Sequence, residues 1–125
     1  MLQEIVVTVE DRPGVLAEIG ELLGEAGVNI ETLTATTFNG RGLIHLVVDD
    51  GEETGEILAT HGFSVETARP VLAATLDDRP GELGRYCRRL ADSGITISAA
   101  YVARRGGGET ELILAVDDLE AAKTV

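Results

Sequence analysis

The stretch Asp11-Arg12-Pro13-Gly14-Val15-Leu16 recurs as Asp78-Arg79-Pro80-Gly81-Glu82-Leu83, at an offset of 67. The same offset carries Thr8 to Thr75, Leu23 to Leu90, Gly27 to Gly94 and Ile30 to Ile97. Beyond the glycine-rich stretches Asn39-Gly40-Arg41-Gly42 and Gly106-Gly107-Gly108 the offset becomes 68, taking Asp49-Asp50 to Asp117-Asp118. That step reads as a one-residue insertion in the loop. Four consecutive identities, with apolar matches in register on both sides, mark a tandem duplication. The first copy occupies residues 1–69 and the second 70–125; the second lacks counterparts of Leu58 to Arg69.

Each copy decodes into the same order of elements. Ile5, Val7 and Val9 alternate with Glu4, Val6 and Thr8, the period-two pattern of a strand, and Leu72, Ala74 and Leu76 repeat it. Asp-Arg-Pro-Gly then makes a turn into a helix. Val15, Leu16, Ile19, Leu22, Leu23 and Ala26 form an amphipathic stripe on that helix, with Glu18, Glu21 and Glu25 opposite. In the second copy the stripe reads Leu83, Cys87 and Leu90. Gly27 and Gly94 close the helices. Asn29 to Phe38 is β-rich, Asn39-Gly40 is a hairpin turn, and Leu43 to Val48 is an apolar strand. Glu52 to Thr60 reads as a second helix and Phe63 to Ala68 as a fourth strand. The order β-α-β-β-α-β predicts an α+β fold of two ferredoxin-like modules with antiparallel sheets, the second lacking its last strand.

Composition excludes several function classes. The 125 residues hold 10 Lys+Arg against 22 Asp+Glu, a net charge of −12, and only 3% are aromatic. Such a surface repels nucleic-acid phosphates and anionic lipid, and offers few stacking platforms for bases. No apolar run approaches the ~20 residues that span a bilayer. No basic patch followed by an apolar core opens the chain, and a single cysteine forms no internal disulfide, so a cytoplasmic location is expected. Charge is uneven: residues 1–69 carry 13 acidic and 3 basic residues, a net of −10, and residues 70–125 carry 9 and 7, a net of −2.

A strand ending in Asp-Arg-Pro-Gly-Val-Leu, a helix, and Gly27-Val28-Asn29-Ile30 opening the next strand together resemble the ACT domain. This is a family of ferredoxin-like regulatory modules that bind amino acids and control metabolic enzymes. The second copy matches with Gly94-Ile95-Thr96-Ile97, so the resemblance spans nearly the whole chain. It implies a non-catalytic regulatory protein, needing no cofactor, with an amino acid at an interface between modules. It also implies a homodimer or higher homo-oligomer and a metabolic enzyme as partner. By position, the implied ligand contacts are Asp11, Gly14, Val15, Leu16, Asn29 and Ile30, then Asp78, Gly81, Glu82, Leu83 and Thr96. Aspartate stands at 11 and 78 where serine-binding members often carry asparagine, and Thr96 replaces the asparagine at 29. The alternative is a ligand-free regulatory subunit acting through its sheet face.

The residues themselves suggest the same chemistry. A helix N-terminus offers unpaired N–H groups and partial positive charge to a carboxylate. Gly14 and Gly81 let a ligand approach the backbone, and Asp11 accepts from an ammonium group. The competing reading has Asp11 capping the helix and Asn29 satisfying a turn. Cys87 reads as a small buried residue and His45 as a strand residue packed in place. His61 reads as a helix-terminal residue. Asp49-Asp50 and Asp117-Asp118 read as solvated helix starts rather than calcium loops. Gly106-Gly107-Gly108 lacks the lysine of a phosphate-binding loop. Arg85, Arg88 and Arg89 on one helix face Glu18, Glu21 and Glu25 on its counterpart in charge, with Gly20 and Gly24 permitting close approach. The strand edge of Val71 to Leu76, deprived of a fourth strand, is open to another strand.

Overall fold

A computed structural model describes residues 1–125. Two compact units, Met1–Arg69 and Pro70–Val125, make up the chain. In the first, β1 (Gln3–Glu10), α1 (Val15–Glu25), β2 (Ile30–Phe38), β3 (Arg41–Val48), α2 (Gly51–Thr60) and β4 (Ser64–Pro70) follow in order. The sheet order is β2-β3-β1-β4, the ferredoxin-like arrangement. In the second unit, β5 (Leu72–Asp77), α3 (Glu82–Asp92), β6 (Ile97–Gly106), β7 (Glu109–Val116) and α4 (Leu119–Ala122) build a sheet ordered β5-β7-β6. A single short turn, α4, stands where α2 stands in the first unit, and no fourth strand follows. No helix is long and apolar enough to cross a membrane.

Alternation along β1 sends Ile5, Val7 and Val9 into one core with Ile19, Leu23, Ile44, Leu46, Val48 and Leu58. The second core gathers Tyr86, Leu90, Ile95, Leu112, Leu114 and Ala122. Both helical stripes are narrower than their sequence spacing suggests. In α1 only Val15, Ile19 and Leu23 are buried, while Leu16 and Ala26 are exposed. In α3 the buried pair is Tyr86 and Leu90; Leu83 is exposed and Cys87 is half-buried. The larger Tyr86 ring, one residue before Cys87, takes the position over the sheet and rotates the stripe.

The second aspartate of each acidic pair caps a helix. Asp50 Oδ1 accepts from the Glu53 N–H at 3.0 Å, and Asp118 Oδ1 from the Ala121 N–H at 3.0 Å. Gly20 and Gly24 lie on α1 with nothing near the place of a Cβ atom. Replacing either by alanine therefore adds helix propensity without a clash. Gly20→Ala and Gly24→Ala are each expected to raise the unfolding free energy by about 0.5–1 kcal/mol, read from urea denaturation.

The one-residue insertion lies elsewhere than the loop. Both hairpins have two-residue turns, Asn39-Gly40 between Phe38 and Arg41, and Gly107-Gly108 between Gly106 and Glu109. Both β2 and β6 bulge near their start, at Glu31 and Ser98, but β6 bulges again: Val102 pairs Leu112 and Arg104 pairs Glu111, leaving Ala103 as the extra residue. The bulge restores the facing of the strand one residue later. Arg105, opposite Thr110, thereby takes the position that Thr37, opposite Gly42, holds in the first unit.

Candidate functional site

The first Asp-Arg-Pro-Gly loop leaves β1 at Glu10 and enters α1 through Gly14. Gly14 is the N-cap, with φ 87°, and no side chain caps the helix. The capping role considered for Asp11 is therefore not taken up. Its carboxylate is exposed and has no ion pair or hydrogen bond. The N–H groups of Val15, Leu16 and Ala17 find no acceptor in the chain. Nothing lies within 4 Å of the site of a Gly14 Cβ, so the face of that peptide is open. Arg12 turns away to Glu18 at 2.6 Å. Beside the loop, Thr8, Glu10, Arg12, Arg41 and Ser64 line a polar depression of about 290 Å³.

The second loop has the same backbone, with Gly81 at φ 90° as N-cap, but its own side chains fill it. Arg105 donates to both oxygens of Asp78, at 2.9 and 3.1 Å. Arg79 reaches Asp77 and Glu82 at 3.2 and 3.0 Å, and Arg85 donates to Glu82 at 2.6 Å and to the Pro80 carbonyl at 3.3 Å. The Arg85 guanidinium lies 2.9 Å from where a Gly81 Cβ would be, closing the backbone approach that Gly14 leaves open. The Glu82 N–H is satisfied by the Arg79 carbonyl at 3.2 Å.

These pairings hold the Asp78 carboxyl below its ordinary pKa, chiefly through the hydrogen bond from Arg105, and Glu82 likewise through Arg85. Because folding lowers both pKa values, the pairs support the fold above the ordinary carboxylate range. That support fades as pH falls through the lowered values. The neighbouring depression, about 190 Å³, is lined by Leu76, Leu83, Val102 and Leu112 under Arg79 and Arg105.

Asn29 and Thr96 lie apart from these loops. Ile30 pairs with Val48, level with Gln3, whereas Glu10 and Phe38 both face Arg41. Asn29 is thus at the opposite end of the sheet from Asp11, roughly 20 Å away at ~3.3 Å per residue. Its side-chain amide donates to Glu31 at 3.3 Å. Ile30 packs against the core. In the second unit the Thr96 N–H donates to Asp117 Oδ1 at 2.9 Å, and the Asp117 N–H to the Thr96 carbonyl. Within each unit the structure brings together Asp11, Gly14, Val15 and Leu16, or Asp78, Gly81, Glu82 and Leu83, but not the residue that opens the following strand.

Two charged features escaped the sequence reading. Arg105 meets Asp78 only because of the bulge, which repeat alignment alone misplaces. Glu4, which alternates with the apolar residues of β1, is fully buried. Its Oε1 accepts from Arg69 Nε and a terminal Arg69 nitrogen at 2.9 and 2.8 Å, and its Oε2 lies 3.2 Å from His45 Nδ1. Of the arginines grouped on α3, Arg85 is engaged in its own loop and Arg89 stands 5.4 Å above the Tyr86 ring.

Residues 4–61 match the ACT domain family. The comparison with curated proteins returns no match. Among solved structures, a protein from Bacteroides thetaiotaomicron superposes with a TM-score of 0.85 at 18% identity, covering 98% of this chain and 83% of that one. The regulatory subunit of aspartate kinase from Thermus thermophilus superposes with a TM-score of 0.73 at 19% identity, covering 97% and 87%. The corresponding subunit from Thermus flavus gives 0.70 at 18% identity, covering 97% and 86%. At these identities the likeness is one of fold. Residues 4–61 are thus similar to the ACT domain, and the second unit repeats the ferredoxin-like fold of the first without the final strand.

Proposed function

We propose that this chain is a non-catalytic regulatory protein that binds a free amino acid at the Asp11–Leu16 loop and modulates a partner enzyme. The observation that carries the reading is the open first loop: an unpaired carboxylate beside a glycine N-cap whose helix presents free N–H groups. A zwitterionic amino acid needs both partners, N–H donors for its carboxylate and an acceptor for its ammonium group. Arg41 and Ser64 line the adjoining depression and are the groups its side chain would meet. The ACT match over residues 4–61 and the fold shared with aspartate kinase regulatory subunits support a regulatory role.

The filled second loop supports a reading in which the first unit binds, one ligand per chain. Asn29 and Thr96 belong to this site only if a different module supplies them, because each unit holds them at its far end. Titration calorimetry against the twenty amino acids tests the reading. Saturable heat at a stoichiometry of one per chain is expected with at least one of them; no heat with any at millimolar concentration contradicts it.

A further inference from the structure

Residues 1–69 hold 13 acidic residues and only three basic ones, Arg12, Arg41 and Arg69. Arg69 is bound to the buried Glu4. The other two both line the 290 Å³ depression beside the open loop, where Glu10 is the only carboxylate. Arg12 is held by Glu18. Arg41, in a unit crowded with carboxylates, makes no ion pair or hydrogen bond. The hydroxyls of Thr8 and Ser64 also line the depression, but both donate to Glu66. The Arg41 guanidinium is therefore its uncommitted side-chain donor.

Strand register puts this cation near the loop. Arg41 lies opposite Glu10 across β1 and β3, and Asp11 follows Glu10. With about 5 Å across the pair and ~3.8 Å along the chain, the Cα atoms of Asp11 and Arg41 are no more than roughly 9 Å apart. One small molecule can touch both. In the second unit the residue opposite Asp77 is Glu109, so the sign at this place is reversed. The cation accompanies only the loop that is open.

We propose that the ligand of the first loop is an acidic amino acid, aspartate or glutamate, whose side-chain carboxylate pairs with Arg41. This rests on the reading that the loop binds a free amino acid. In that reading Asp11 takes the ammonium group and the N–H groups of α1 take the α-carboxylate, which leaves Arg41 to choose among side chains. A guanidinium presents a planar fork of N–H donors that a carboxylate accepts with both oxygens. A side-chain amide offers one uncharged acceptor instead, and a side-chain ammonium is repelled.

Calorimetry with L-aspartate, L-glutamate, L-asparagine, L-glutamine and L-lysine tests the choice. One of the two acids is expected to bind about tenfold or more tightly than its own amide. Arg41→Gln should remove that preference, and Arg41→Lys should restore part of it. Arg88→Gln makes the same change of charge at an exposed position of α3 and should leave the preference intact; far-UV circular dichroism checks that all three variants fold. Saturable binding of a neutral or basic amino acid, with none of aspartate or glutamate, would keep the loop as a site and overturn this choice of ligand. An acid preference that survives Arg41→Gln, or that Arg88→Gln removes equally, would also overturn it. Silence from all twenty amino acids would instead remove the binding reading itself.

Discussion

Glu4→Ala is expected to lower the unfolding free energy by about 2–4 kcal/mol, because it empties a fully buried side-chain position and removes the charge-assisted hydrogen bonds that the part-exposed Arg69 makes to it. Glu4 has no exposed surface and draws Arg69 and His45 onto its two oxygens. Glu4→Gln keeps an acceptor and a similar volume, so a smaller loss of about 1–3 kcal/mol is expected. Glu66 gives the contrast within the same sheet. It accepts from Thr8 and Ser64 but is exposed, and Glu66→Ala should change stability by less than about 1 kcal/mol. The shift of the urea midpoint, followed by far-UV circular dichroism at constant slope, reads all three. Equal midpoints for Glu4→Ala and Glu66→Ala would show that the Glu4 cluster is not a structural element.

The second large effect concerns the ligand. Asp11→Ala should weaken amino-acid binding by roughly 10–100-fold, the loss of one charge-assisted hydrogen bond of about 1.5–3 kcal/mol. Asp78→Ala removes the residue at the equivalent place in the repeat but should leave the affinity unchanged, since Arg105 already occupies that carboxylate. Calorimetry on the two variants separates them. A loss with Asp78→Ala and none with Asp11→Ala would move the site to the second unit.

The order of elements and the glycine entry to each first helix were legible because they depend on local signals. Alternation in β1, proline and glycine before α1, and Asn39-Gly40 each act within a few residues. Glu4 was not legible, since the partner that makes its burial tolerable, Arg69, comes 65 residues later. Nor was Arg105, since a repeat offset counts residues and cannot say where a strand takes up an extra one. Ala103 absorbs it in mid-strand and re-aims Arg105 at Asp78. Tyr86 displaced Cys87 from the core because side-chain volume, which spacing ignores, decides which flank of a helix settles on the sheet.

The separation of Asp11 from Asn29 has a topological cause. β1 and β2 both run antiparallel to β3, so they run the same way, and the end of one lies opposite the start of the other. The resemblance to amino-acid-binding modules names both places, but one unit presents them at opposite ends of its sheet. The first loop alone supplies the donors and the carboxylate that the proposed ligand needs.

Amide chemical shifts measured by ¹⁵N–¹H correlation during titration with the amino acid that gives heat test this most directly. The account predicts that the N–H resonances of Val15, Leu16 and Ala17 move saturably, while those of Glu82, Leu83 and Gly84 stay in place. Movement confined to the second loop, or saturable shifts that leave α1 untouched, would contradict it.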